Sequence, residues 1–320
     1  MEMLPSANTP AQSRQKEIRG SLLLLLAAVI WGSAFAAQRA GMDHISPFTF
    51  TAIRTTLGGL FMAFAAAFSE RKAGPEKKCD PKLQRKAGLL CGLFLFAATT
   101  LQQLGLVSTS AGKAGFLTAL YVVLVPVAGL LFFRRNPGKI IWLSVALAVA
   151  ALFLLCVPAG PFRVESSDLM LIGCAVCFTG QILCVGRYSM RVNSMALVRD
   201  QSLLTGALSA AIALLTEPID PQGIREALFP ILYTGIMSSD VGYTLQALAQ
   251  RDVRPTIASL LMCLEAVFAV LTGVVLLGER MTVREGFGCL LMFTAVILAQ
   301  TAPLLAGKIG RKNRQSKPGA

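Results

Sequence analysis
The chain has 320 residues, 54% of them apolar and only 15% charged, with a mean hydropathy of +0.63. A soluble domain carries nearer ~25% charged residues, which excludes an ordinary water-soluble enzyme. Lys and Arg outnumber Asp and Glu by 30 to 17, an excess that fits nucleic acid, anionic lipid or a topology signal until the charges are placed.

Crossing a bilayer takes ~20 mostly apolar residues, and ten such runs follow one another along the chain. After a polar N-terminal flank (1–18) come 20–38, 47–68, 87–107, 114–133 and 140–157. A second group, 168–188, 197–216, 228–248, 258–277 and 286–303, precedes a basic tail (304–320). In the first run, Leu22–Leu26 behind basic residues and Ala34-Phe35-Ala36 imitate a cleaved signal peptide. The apolar run continues to Ala37, and cleavage would leave an odd number of spans, so the segment reads as an uncleaved helix. The joining segments are too short to fold as separate domains, and both flanks read as disordered.

With the N-terminus placed in the cytoplasm, 23 of the 30 basic residues fall on inner segments and six on outer ones, while Arg54 lies inside a span. That bias follows the positive-inside rule. It puts both termini in the cytoplasm, with the chain in a cell membrane of bacterial plasma-membrane type, and removes the main support for nucleic-acid binding. Of the eight cysteines, all but Cys79 sit in apolar stretches, where a thiol packs as a small hydrophobe. Cys174-x-x-Cys177 lacks the second pair that zinc would need. The single histidine, His44, lies in a short loop, so neither a metal centre nor a cofactor is expected.

The chain also repeats itself. Residues 114–133 align without a gap on 258–277, at a shift of 144, with Ala114/Ala258, Leu117/Leu261, Leu120/Leu264, Val123/Val267 and Gly129/Gly273 identical. Each segment is the fourth run of a set of five. Five is odd, so the second set must enter the membrane the other way round. The expected fold is all-α and integral to the membrane, with ten transmembrane helices as two inverted five-helix repeats, 19–157 and 168–303. Secondary transporters commonly use this architecture and bind substrate near the midplane between the halves.

Trp31-Gly32-Ser33-Ala34-Phe35, Pro47 followed by Arg54, and Thr109-Ser110-Ala111-Gly112-Lys113-Ala114-Gly115-Phe116-Leu117 with Pro126 resemble, in order, first-half signatures of EamA-type transporters of the drug/metabolite transporter superfamily. Gly242-Tyr243-Thr244-Leu245-Gln246 and Leu264-Glu265-Ala266-Val267-Phe268-Ala269, ending at Gly278-Glu279-Arg280, resemble those of the second half. Ala266 stands where that family usually has proline, and Asp240 where it usually has a small or apolar residue. The resemblance covers about 20–156 and 168–302 and implies ten helices and the export or exchange of small metabolites.

Ionisable groups inside a span cost ~2.5–3.5 kcal/mol each on insertion scales, which makes them functional candidates. Three sit well inside: Arg54, Asp240 and Glu265. At ~1.5 Å per residue the two acids lie roughly 10–12 Å from the cytoplasmic ends of consecutive helices. Two carboxylates close together in a low dielectric resist ionising together, which suits proton coupling. A packing role is weighed equally for Glu265. Asp240, Tyr243 and Gln246 form a polar stripe at i, i+3 and i+6, about one face of a helix, and so read as facing a cavity. Arg54 could clamp a substrate carboxylate or snorkel to the headgroups, with a structural or gating role ahead of both. Tyr121 is the repeat mate of Glu265. Trp31, mid-span with Phe35 four residues on, offers an aromatic wall or plain packing. Gln102, beside Thr99, Thr100 and Gln103, offers hydrogen bonds to substrate or polar glue between helices.

Gly112-Lys113 lacks the glycine and hydroxyl of a phosphate-binding loop, so ATP-driven pumping is not expected. An intramembrane aspartyl protease needs two aspartates in spans, and only Asp240 qualifies, so no enzymatic activity is expected either. The reading that remains is a secondary transporter, exporting or exchanging small amphipathic metabolites such as amino acids by alternating access. A channel, receptor or other non-transport membrane protein is the alternative. The expected partners are a small-molecule substrate and the bilayer, with proton coupling and a homodimer as further options.

Overall fold
The computed structural model describes residues 10–72, 80–109, 111–134, 136–157, 165–277 and 280–315, and every regular element among them is helical. Cys79, Ser110, Gly278, Glu279, part of the 71–86 loop and the last five residues lie outside the described residues. Helices suit these sequences because lipid offers no partner for backbone N–H and C=O groups, so each span must satisfy its own. The first half comprises α1 (Pro10–Met42), α2 (Pro47–Lys72), α3 (Pro81–Ser108), α4 (Ala111–Thr118), α5 (Tyr121–Phe133) and α6 (Lys139–Cys156). The second comprises α7 (Ser166–Tyr188), α8 (Ser194–Thr216), short α9 (Pro221–Glu226) and α10 (Leu228–Leu232), a π-helical stretch (Tyr233–Gly242), α11 (Tyr243–Ala249), α12 (Pro255–Met262), α13 (Glu265–Leu277) and α14 (Val283–Gln315). Asp80 and Asn193 start α3 and α8 by accepting from the amides of Lys82 and of Met195 and Ala196, each satisfying donors that have no partner inside the helix.

Among the described residues, eight helical segments are long and apolar enough to cross a membrane. The expected spans at 197–216 and 228–248 are not among them. The first lies in α8, whose second turn carries Arg199, Asp200 and Gln201 and lowers its hydropathy. The second is α-helical only at its ends, Leu228–Leu232 and Tyr243–Ala249, with the π-helical stretch between. Helix also extends into both flanks expected to be disordered, from Pro10 and as far as Gln315, since prolonging an existing helix needs no new nucleus.

Most close packing is between the halves. α1 lies on α13, α11 and the π stretch, α2 on α8, α3 on α7 and α8, and α6 on α14. Exchanging each helix for the one 144 residues away turns these contacts into others of the same structure: α2 with α8 and α6 with α14 are their own counterparts, α1 with α11 answers to α7 with α3, α1 with α13 to α7 with α5, and α3 with α8 to α2 with the π stretch. The outer surface is apolar, with Phe132, Leu215 and Val275 more than three-quarters exposed, while Gln, Ser and Thr residues are buried. This reverses the soluble pattern and turns the polar side chains toward the region between the halves.

Candidate functional site
Two broken helices meet at the centre. α4 and α5 are separated at Ala119–Leu120, α12 and α13 at Cys263–Leu264, again 144 residues apart. At both breaks the backbone tightens to i→i−3 bonds, from Val122 to Ala119 at 3.0 Å and from Ala266 to Cys263 at 3.2 Å. Pro126 is not the cause, because its mate is Val270 and the second break has the same form. The Cys263 thiol donates to the Ala119 carbonyl at 3.8 Å. Beside it the Tyr121 hydroxyl donates to Oε1 of Glu265 at 3.1 Å. Both contacts join residues 144 apart in the sequence, so the two breaks pack against each other.

Around this contact lies a cavity lined by Trp31, Arg54, Gln102, Tyr121, Tyr243, Gln246 and Glu265, together with Gln38, Phe178 and Gln181. It leaves about 60 Å³ for the centres of water-sized molecules, room for only a handful of waters. Gly32, in the Trp-Gly-Ser segment of α1, lets α13 come close, since a Cβ there would stand 2.5 Å from the Glu265 carbonyl oxygen. Trp31 donates its indole N–H to the Ser238 carbonyl at 3.1 Å and packs on Tyr243 with ring centroids 5.3 Å apart. Gly242 leaves the space that the indole occupies. Arg54 is buried, with its guanidinium 5.7 Å from the centre of the Phe50 ring. Among the described residues no carboxylate lies within ion-pairing distance of it, and its Nε has no hydrogen-bond partner. The Gln38 side-chain oxygen is likewise without a partner.

Asp240 is the candidate that stands apart. It is wholly buried but does not line the cavity; it packs where α2 passes the π stretch at Gly58, and neither carboxylate oxygen makes a well-formed hydrogen bond. The stripe of Asp240, Tyr243 and Gln246 assumed a uniform winding of 3.6 residues per turn. The wider i→i+5 winding of the π stretch, which ends at Gly242, turns Asp240 away from the face that carries the other two. Asp240 and Glu265 are therefore not a pair around one cavity.

The sequence reading also missed a network of four buried glutamines. Gln246 donates to Gln181 at 3.1 Å and to Gln250 at 3.2 Å; Gln181 donates on to Gln201 at 3.4 Å, and Gln250 to the Ile182 carbonyl at 3.2 Å. It ties α7, α8 and α11 into one polar seam beside the cavity. A glutamine embedded in each of several apolar runs was the available signal. Elsewhere, α4 and α7 are joined by a largely buried ion pair, Lys113 Nζ to Asp168 Oδ2 at 2.8 Å. No group of three or more His, Cys, Asp or Glu side chains among the described residues could hold a metal ion.

The sequence profile of the EamA-like transporter family matches this chain twice, over residues 18–157 and 165–301. An uncharacterized transporter of Archaeoglobus fulgidus is 30% identical over 284 residues, 88% of this chain and 86% of that one. A protein of Chlamydia muridarum named S-adenosylmethionine/S-adenosylhomocysteine transporter is 25% identical over 284 residues, 80% and 84% of the two chains. A solved crystal structure superposes with a TM-score of 0.72 at 20% identity, covering 88% of this chain and 97% of its own, a likeness of fold.

Proposed function
Because the chain belongs to the EamA-like transporter family, we propose that this multi-pass membrane protein exports or exchanges small amphipathic metabolites bearing an α-amino-acid group, by alternating access of the cavity around Tyr121 and Glu265. The observation that carries the reading is Arg54, 4% exposed and without a carboxylate partner among the described residues, on a wall that Glu265 shares. A buried guanidinium is costly unless paired, and a solute carboxylate offers it a bidentate partner. The ammonium of the same solute suits Glu265, and its apolar part suits Trp31, Tyr243 and Phe178. Both solutes named for the Chlamydia muridarum relative carry an amino-acid group of this kind.

Alternating access calls for two halves that rock about a central site. The 144-residue shift, the mated helix breaks and the two matches to one family profile support reading the chain as two inverted sets of five spans, with α8 and the segment Leu228–Ala249 as the remaining two. The basic segments and both termini would then lie on the cytoplasmic side of a cell membrane. The narrow cavity must widen to admit a solute, which the breaks in α4–α5 and α12–α13 would permit. Proton coupling belongs to the same reading, through Glu265 at the cavity and Asp240 behind it.

The test is a metabolite-pool uptake screen in liposomes holding the purified protein, read by mass spectrometry, with and without a pH gradient. Accumulation of amino-acid-bearing solutes above empty liposomes is expected, and its absence across the pool would overturn the reading. Proton coupling fails separately if Asp240→Asn and Glu265→Gln together leave gradient-driven flux unchanged.

A further inference from the structure
A second opening lies away from the cavity, on the outer surface between α3 and α8. Gly88 packs on Asp200 and Gly92 on Leu204, so the two helices run side by side in the same direction and begin at the same end of the molecule. Between them is an open groove of about 410 Å³, walled by Gln84, Arg85 and Leu89 from α3 and by Arg199, Asp200 and Leu204 from α8. That size is in the range of small-ligand sites.

The groove has two chemically distinct parts. At the helix starts, Lys82, Arg85 and Lys86 are exposed and Arg199 is partly so. Two acids share that end. Asp80 caps α3, and Asp200 is held by Arg199 at 2.8 Å. The cations therefore outnumber the acids four to two, and the positive ends of two helix dipoles lie alongside them. About one turn further in, Leu89 of α3, about half exposed, and Leu204 of α8 line the groove. Arginines beside leucines in one open groove between two helices match a headgroup carrying negative charge and a hydrocarbon tail.

We propose that this groove binds one anionic phospholipid, its phosphate between Arg85 and Arg199 and an acyl chain along Leu89 and Leu204. The lipid is favoured over a free phosphate because Leu89 and Leu204 continue the groove from its basic end with apolar surface that a phosphate alone would leave uncovered. The site is separate from the cavity and stands whether or not the transport reading holds.

Native mass spectrometry of the full-length protein, released from detergent after incubation with phosphatidylglycerol or with phosphatidylcholine of the same acyl chains, tests it. Retention of one phosphatidylglycerol, preferred over phosphatidylcholine, is expected, and the double substitution Arg85→Gln/Arg199→Gln should weaken it by roughly tenfold. The substitution Arg134→Gln/Lys139→Gln, also basic but away from the groove, should leave retention unchanged. Equal retention of both lipids, an effect of the distant pair equal to that of the groove pair, or displacement of the lipid by millimolar inorganic phosphate would each overturn the proposal. Circular dichroism of both variants separates loss of the site from loss of fold.

Discussion
At the residue scale, the hydrogen bond from Tyr121 to Glu265 separates two kinds of contribution. Both side chains are buried, 5% and 8% exposed, so removing the donor leaves a carboxyl oxygen with no replacement partner. Tyr121→Phe should therefore cost about 1–3 kcal/mol, read as a lower midpoint of thermal unfolding in detergent. Glu265→Gln keeps an oxygen that can accept from Tyr121 and should unfold near the wild-type midpoint. If Glu265 holds a solute ammonium, the same variant should raise the KM for uptake; a wild-type KM would assign Glu265 to packing alone. Much of this pair was legible beforehand. The mating of Tyr121 with Glu265 follows from the repeat, and Arg54 and Trp31 stood out as a charge and a ring inside apolar runs. Asp240 was misjudged because no residue type announces a π-helical winding, and a spacing of i, i+3 and i+6 means one face only while the turn stays uniform. Gln181, Gln201 and Gln250 escaped notice because a single glutamine in an apolar run reads as glue between helices, and only tertiary packing brings the four into one network.

At the scale of elements, the approach of α1 to α13 depends on Gly32. A methyl group there would meet the Glu265 carbonyl oxygen at 2.5 Å, the Ala269 nitrogen at 2.8 Å and the Phe268 Cβ at 2.8 Å. Backbone cannot yield as a flexible side chain does, so α1 must move outward, carrying Trp31 with it. Gly32→Ala should cost about 1–3 kcal/mol through overpacking, and its fluorescence should report a changed environment for Trp31. The unfolding midpoint in detergent checks the first, and emission spectra, with Trp142→Phe to isolate Trp31, check the second. An unchanged midpoint would mean that α1 and α13 are held elsewhere. Elements were harder to delimit than to detect. The run at 228–248 announced apolar length but not its division into α10, the π stretch and α11. The breaks at Ala119 and Cys263 carry no proline of their own, and no residue there announces them in the sequence.

At the scale of the whole molecule, the contact between mates has a geometric consequence. If the two halves exchange conformations when access switches sides, every distance between residues i and j becomes the distance between their mates. For a residue and its own mate the exchange returns the same number. Ala119 with Cys263, and Tyr121 with Glu265, would then keep their separation in both states and act as a fulcrum. Lys113 and Asp168 have different mates, Ile257 and Leu24, both in the apolar core, so that ion pair is free to part. In a background whose only other cysteine is Cys263, a cross-link to Ala119→Cys should leave solute exchange running, whereas one between Lys113→Cys and Asp168→Cys should arrest it until reduced. Arrest by the first cross-link would rule out a fulcrum there. The broken helices are thus a place where a rigid clamp and an unimpeded transport cycle would be compatible.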